Sequence, residues 1–269
     1  MTSTVYLYTD RAPKNLNLNE IATYLKGHGF EVKNGGDFLQ HFNLDKRAFG
    51  EGLARIRIKD IRRRGVLNSN PSPEDIATEV GILNGDEPVE LDRDLTNVYE
   101  GLEFSDLFKE PLKGDFHILF TSRMLATWSD RYHGRTIVIN PPLSIISTTG
   151  IVEAPIKPPE YYAKLLSHQR ALEIGFPLPR LEEFEKELKE EFKGRFIDYG
   201  DERLTEVAKG LAMQALVYFL TSDAFCDDSR CRLFNAHTQE DLIKSQLEGE
   251  EFCDGHGAML KEIKNRNLQ

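Results

Sequence analysis

An α/β fold of the α+β kind, a mixed sheet with flanking helices that leads into a small cysteine-built C-terminal subdomain, is predicted by three features of this sequence. The β-prone run Val5-Tyr-Leu-Tyr8, a helical pattern through Ile21 and Leu25, and a second run at Phe30-Glu-Val-Lys33 make a β-α-β start, which favours parallel pairing. Strong β runs resume at Phe116-His-Ile-Leu-Phe120 and Thr136-Ile-Val-Ile-Asn140. All three cysteines of the 269 residues then fall between positions 226 and 253, close to a histidine at 256. Two regions are expected: an N-terminal α/β region over 1–112, and a second over 113–269 that contains the cysteine cluster at 226–256. They stand either as separate units or as one continuous domain.

In order along the chain, Asn17 or Asn19 caps the first helix and Gly27-His-Gly29 stops it. Gly35-Gly36 reads as a turn, because neither GxGxxG nor GxxxxGK(S/T) accompanies it. Asp37 to Phe42 suits a short helix. Asp45 to Gly65 is ambiguous: Leu53 to Lys59 alternates like a strand, yet its surroundings suit a helix. That stretch holds Arg55, Arg57, Lys59, Arg62, Arg63 and Arg64, a density able to meet phosphate or an acidic partner. The net charge of -10 makes a solvated face, or a counter-charge for the protein's own carboxylates, the better reading. Asn68 to Pro111 is polar, with helices expected at Pro73 to Val80 and around Leu107.

Between the two strong β runs, Arg123 to Gly134 reads as a connection ending in a turn. Trp128, Tyr132, His133 and Glu153 line a cleft or, more simply, a rim turn around one buried Trp. Ile145 to Pro155 is expected to be extended and bent at Gly150. Three helices follow. Pro158-Pro159 suits the first turn of one. Leu181, Phe184, Leu188, Phe192 and Phe196 recur at helical spacing through Lys and Glu, as an amphipathic helix requires. The third, Asp201 to Leu220, is apolar nearly all round in its second half and should cross the core.

Cys226, Cys231, Cys253 and His256 form a zinc site in outline. Thiolates and a neutral imidazole are the donors Zn²⁺ prefers, and four protein ligands close the tetrahedron, which marks a structural ion rather than a catalytic one. One Zn²⁺ is therefore expected. The competing reading is three reduced cysteines packed as small hydrophobes, but Cys226 and Cys253 lie among Asp and Glu. His237 is the other candidate for the fourth ligand. Its neighbours, however, read as a helix start, with Thr238 as N-cap and Asp241 at the third helical position.

A long helix running into Cys-x4-Cys and then a second ligand pair two residues apart resembles the archaemetzincins, a family of metzincin-type zinc metallopeptidases. The match covers Asp201 to His256. It implies a metzincin-like mixed sheet, peptidase ancestry and a structural zinc on the two knuckles, with His256 standing where that family has a cysteine. It also implies where catalytic groups would fall: zinc histidines on Ala215, Phe219 and Phe225, the general-base glutamate on Leu216, the glycine on Ser222. None of these can perform the family's chemistry, which needs two His one helical turn apart and a Glu to take a proton from bound water. No HExxH occurs anywhere in the sequence. The chain resembles a divergent archaeal sister group of metallopeptidase-like proteins that lacks the motif.

The function expected is a zinc-binding, metallopeptidase-like protein without the usual catalytic motif, able to hold peptide or protein segments along its sheet edge. The alternatives are a divergent metal-dependent hydrolase using Glu153, His133 or His168, and a zinc-stabilised nucleic-acid or protein interaction module using the Arg55 to Arg64 face. Net acidity argues against nucleic acid. The lack of a run of about 18 apolar residues or of a signal-like N-terminus argues for a cytoplasmic protein without membrane contact.

Overall fold

The computed structural model describes residues 4–86 and 97–267. β1 (Val5–Asp10), α1 (Leu18–Gly27) and β2 (Val32–Asp37) form the expected β-α-β unit, with β1 and β2 parallel. Asn17 caps α1 by accepting from the amides of Asn19 and Glu20, and Ile21, Ala22 and Leu25 face the core. Next come α2 (Phe38–Phe42), α3 (Lys46–Arg55), α4 (Pro73–Asn84), the short β3 (Val98–Glu100) and α5 (Gly101–Lys109). The ambiguous stretch divides: Asp45 caps a helix that runs to Arg55, and Arg57 and Ile58 then bridge to Tyr99 and Leu67. Both periodicities were present because helix and bridge meet inside it.

The remaining strands are β4 (Phe116–Thr121), β5 (Met124–Trp128), β6 (Tyr132–Arg135), β7 (Ile137–Asn140) and β8 (Leu143–Ser147). The main sheet has the order β2-β1-β4-β8-β7, with the first four parallel and β7 antiparallel at the edge. Strands from before and after residue 112 thus adjoin in one sheet, where β1 pairs with β4. Contrary to the sequence reading, Arg123 to Gly134 is not a plain connection: β5 and β6 make a hairpin that joins β3 in a second sheet, β3-β5-β6. Their polar and small residues hid them, since neither strand is fully buried.

A second correction concerns Ile145 to Pro155. The strand ends at Ser147, whose hydroxyl accepts from the amide of Gly150 at 2.7 Å and caps α6 (Thr148–Glu153). β-branched residues disguise this helix, and Gly150 allows it: a Cβ there would lie 2.0 Å from the Arg135 carbonyl oxygen. The later elements are α7 (Pro159–Glu173), α8 (Leu181–Glu191), α9 (Leu204–Thr221), α10 (Gln239–Ile243), a π-helical turn (Lys244–Glu248) and α11 (Asp254–Asn267). α7 and α8 pack mainly on each other through Tyr161 and Leu188, and Phe192 and Phe196, which the sequence reading put on the helix, close the cluster from beyond its end at Glu191.

Alternation along the strands divides the core between two faces. Leu7, Ile118 and Phe120 turn to the face covered by α1 and α9, whereas Tyr8, Leu119 and Ile145 turn to the face covered by α2, α3 and α5. At the C-terminal ends of β1 and β4 sits a buried ion network. Arg123, 2% exposed, donates to Asp10 at 3.0 Å and to Glu79 at 2.6 Å, while Arg57 and the Tyr99 hydroxyl also donate to Glu79. Burial alone would raise the Glu79 pKa, but Arg123 and Arg57 outweigh it and hold the carboxyl below its usual value.

A carboxyl held low contributes stability above its unfolded-state value, near pH 4, and loses that contribution as pH falls through the lower folded value. Arg123→Met should therefore cost about 3–5 kcal/mol at neutral pH, because it strands the buried Asp10 carboxylate and leaves Glu79 with one guanidinium in place of two. It should also flatten the acid limb of the stability curve; denaturant titration from pH 3 to 7 measures both.

Candidate functional site

The knuckle is built against α9, whose residues from Leu204 to Val217 are nearly all buried. Gln214 on α9 donates to the carbonyls of Arg232 and Phe234, and Gln246 on the π-helical turn donates to the same Arg232 carbonyl at 2.9 Å. Gly210 allows that turn to sit against the helix: a Cβ there would lie 1.6 Å from the Gln246 Oε1. The Arg232 guanidinium pairs with Glu206 and lies over the Tyr24 ring. The backbone that follows Cys231 is thus fixed from both sides.

Within it, the Cys226 amide donates to the Leu233 carbonyl and the Cys231 amide to the Asp228 carbonyl, which folds Cys-x4-Cys into a tight loop. α11 supplies the other pair. Cys253 immediately precedes it and His256 lies in its first turn, where the Gly257 amide closes back on the Cys253 carbonyl at 2.8 Å. The donor atoms of Cys226, Cys231, Cys253 and His256 all lie within 4.8 Å of one another. Cys226 Sγ and Cys253 Sγ are 3.8 Å apart, and His256 Nδ1 lies 3.8 Å from Cys231 Sγ and 3.1 Å from Cys253 Sγ.

A zinc–sulfur bond of about 2.3 Å implies tetrahedral edges of about 3.8 Å, whereas a disulfide needs sulfurs about 2 Å apart. The spacing therefore fits four donors around one ion, and the cysteines are free. This group could hold a metal ion, and among the described residues it is the one such group of three or more His, Cys, Asp and Glu donors. The His256 amide, at the start of α11, holds the Cys253 thiol below its ordinary value. Burial pushes Cys226 up to about 12 and also raises Cys231. A cation between the sulfurs would offset that burial cost. His237 is exposed and outside the cluster.

Beside the knuckle is a cleft of ≈ 520 Å³ between the edge strand β7, Trp128, the end of α9 and the segments on either side of Cys-x4-Cys. Its walls include Tyr218, Ser222, Asp223, Phe225 and His237. The positions singled out on α9 can now be placed. Ala215 and Leu216 are 0% and 1% exposed in the core, and Phe219 packs on Phe116 with centroids 4.6 Å apart. Phe225 forms part of the cleft wall. Ser222 has φ 62, the left-handed conformation that glycine adopts most easily, at the position where the resemblance put a glycine.

Of Trp128, Tyr132, His133 and Glu153, Trp128 alone lines the cleft. His133 bonds Asp130 at 2.7 Å, Glu153 bonds Lys157 at 3.1 Å, and His168 stacks on Phe184 and bonds the Pro179 carbonyl at 2.8 Å. The structure does not gather them. A larger depression of ≈ 1130 Å³ between α8 and residues 194–203 contains Glu153, but its charges largely pair with one another, as in Lys189–Asp198, Lys193–Glu190 and Arg203–Asp201.

Sequence reasoning missed Arg135 and the open edge of β7. The Ser147 amide donates to the Thr136 carbonyl, which makes Thr136–Ser147 a hydrogen-bonded pair. In an antiparallel ladder such pairs alternate, so Ile137 and Ile139 turn their N–H and C=O groups away from β8 and toward the cleft. Pro141-Pro142, a tight turn between two β runs, was the available signal.

The left-handed Ser222 generates a test. Ser222→Gly should stabilise the protein by about 0.5–1 kcal/mol by removing the Cβ penalty, and Ser222→Val should destabilise it; chemical denaturation of the three proteins would show this order.

No curated protein matches the sequence. Among solved structures, archaemetzincin from Methanopyrus kandleri is similar at 12% identity and a TM-score of 0.44, covering 99% of this chain and 95% of that one. A zinc-dependent peptidase from Methanocorpusculum labreanum is similar at 13% identity and a TM-score of 0.43, covering 95% of this chain and 99% of that one. No helix among the described residues is long and apolar enough to cross a membrane. Residues 1–263 match the model of the probable metallopeptidase family DUF6775, and the chain belongs to that family.

Proposed function

We propose that the chain is a zinc-binding member of its family that keeps one structural Zn²⁺ on Cys226, Cys231, Cys253 and His256, lacks peptidase chemistry at α9, and uses the cleft to hold extended peptide segments. The observation that carries the reading is the chemistry of α9. Hydrolysis at that helix needs imidazoles and a carboxylate facing the cleft, but Ala215, Leu216 and Phe219 are packed apolar side chains. Four protein donors would leave the knuckle ion no open position, so its contribution is to fold rather than to water activation. The outward amides and carbonyls of Ile137 and Ile139 suit addition of a peptide strand to the sheet edge.

Metal content and hydrolysis test this together. After dialysis against a weak chelator the protein should hold one zinc per chain, Cys226→Ser should hold none, and quenched fluorescent peptides should stay intact with either. A second reproducible, chelator-sensitive metal accompanied by peptide cleavage would overturn the reading. Loss of zinc should also loosen the C-terminal region strongly, since structural Zn²⁺ contributes on the order of 10 kcal/mol or more in small peptides.

Proton release gives a separate check on the ligands. The metal takes thiolates, and Cys226 and Cys231 hold their protons more tightly than ordinary thiols in the metal-free cluster. Zinc binding should therefore release protons at neutral pH, and affinity should rise with pH. Calorimetry in two buffers of different ionisation heat reads the number released; a value of zero would rule these cysteines out as ligands.

A further inference from the structure

The basic run from Arg55 to Arg64 is divided by the fold. Arg55 pairs with Glu51 on its own helix, and Arg57 enters the buried network around Glu79. Arg62, Arg63 and Arg64 stand exposed on a loop, and no ion pair joins them to a carboxylate among the described residues. The same loop is tied to the β5–β6 turn: the Tyr132 amide donates to the Ile61 carbonyl at 2.9 Å, and the Gly65 amide donates to the Tyr132 hydroxyl at 3.2 Å. Exposed Arg131 is the chain neighbour of Tyr132 and so leaves the turn that holds both ends of the arginine loop. The carboxylates nearest in sequence are engaged, Asp60 accepting from the Arg62 amide and Asp130 from His133.

The cluster adjoins the cleft. Tyr132 packs edge-on against Trp128 with centroids 5.2 Å apart, and Trp128 lines the cleft. Arg135 lines it too, with its Nε donating to the Thr127 hydroxyl at 2.6 Å and no carboxylate partner among the described residues. Asp223 is the one carboxylate among the lining residues. A path therefore runs from the open edge at Ile137 and Ile139, past Arg135 and Trp128, to four arginines, on a protein whose net charge is -10.

We propose that the cleft selects acidic peptide segments: the peptide backbone pairs with β7, and its carboxylates meet Arg135 and then Arg62, Arg63, Arg64 and Arg131. This rests on the reading of the cleft as a peptide groove. An acidic peptide is favoured over nucleic acid because the cations lie next to outward-turned backbone groups that match a peptide strand and not a sugar-phosphate chain. Arginine suits the role because its fork binds a carboxylate through two parallel hydrogen bonds.

The test is fluorescence anisotropy on the intact zinc-loaded protein, with three labelled ten-residue peptides that alternate Thr with Glu, Gln or Lys, and with a single-stranded RNA decamer. The Glu peptide should bind about tenfold more tightly than the Gln peptide at low salt, and the gap should shrink as ionic strength rises. Replacing Arg62, Arg63 and Arg64 together by Ala should narrow the gap, with Arg131 and Arg135 still in place, by weakening the Glu peptide several-fold more than the Gln peptide; an undiminished gap would overturn their part in it. These arginines are exposed, so folding should be intact, which circular dichroism checks. Equal binding of the Glu and Gln peptides would overturn the acidic preference and leave the peptide groove standing. Binding of no peptide would overturn both. RNA binding that the Glu peptide cannot displace would overturn the proposal in favour of a nucleic-acid partner.

Discussion

The burial of α9 from Leu204 to Val217, broken at Glu206 and Lys209, is the constraint on which the C-terminal half depends. From Leu204 to Val217 the helix presents buried residues to the sheet, to α1 and to the knuckle. Each large aliphatic side chain so buried is worth roughly 1.5–3 kcal/mol. Positions so enclosed, Ala215 and Leu216 among them, cannot also present metal ligands to solvent. Ala215 and Leu216 contribute to packing what imidazole and carboxylate groups there would contribute to catalysis. Gln214 is the exception that supports this: it is buried because the knuckle carbonyls of Arg232 and Phe234 satisfy its amide.

Several parts of this design were legible in the sequence, for identifiable reasons. The first β-α-β unit, the amphipathic α8 and the apolar α9 each carry a long, consistent period, which survives tertiary context. Thr238 and Asp241 marked the start of α10 through cap chemistry, and the structure has Thr238 accepting from the Asp241 amide. That assignment left His256, not His237, close to the cysteines. The sequence misled where short elements and β-branched residues coincide. Ile145 to Val152 looks extended throughout, because nothing local announces that the Ser147 hydroxyl will cap a helix. The β5–β6 hairpin was hidden for the opposite reason: its half-buried residues lack a strong apolar alternation.

The basic stretch shows a different limit. Six cations spread over ten positions read as one feature, yet long-range contacts give them unrelated environments. Arg57 is drawn inward because Glu79, reached through α4, and Tyr99, reached through β3, converge on it. Arg62 to Arg64 are held outward because Tyr132 fixes both ends of their loop. Charge composition alone could not separate the two, since the partners lie tens of residues away in sequence.

The knuckle and the cleft are neighbours by construction, so an ion held on the four donors would act on the shape of the cleft. Ala224 and Phe225, which lead into Cys226, line the cleft, as do Asn235, Ala236 and His237, which leave the loop after Cys231. Both wall segments are continuous with backbone that the four donors would hold. A metal that fixes those donors fixes one side of the groove, and β7 fixes the other. By linkage, any ligand that prefers the ordered groove also favours the metal-bound knuckle. Cys226, Cys231, Cys253 and His256 then have a physical part to play that is independent of hydrolysis: a metal held on them would keep one wall of the groove in shape.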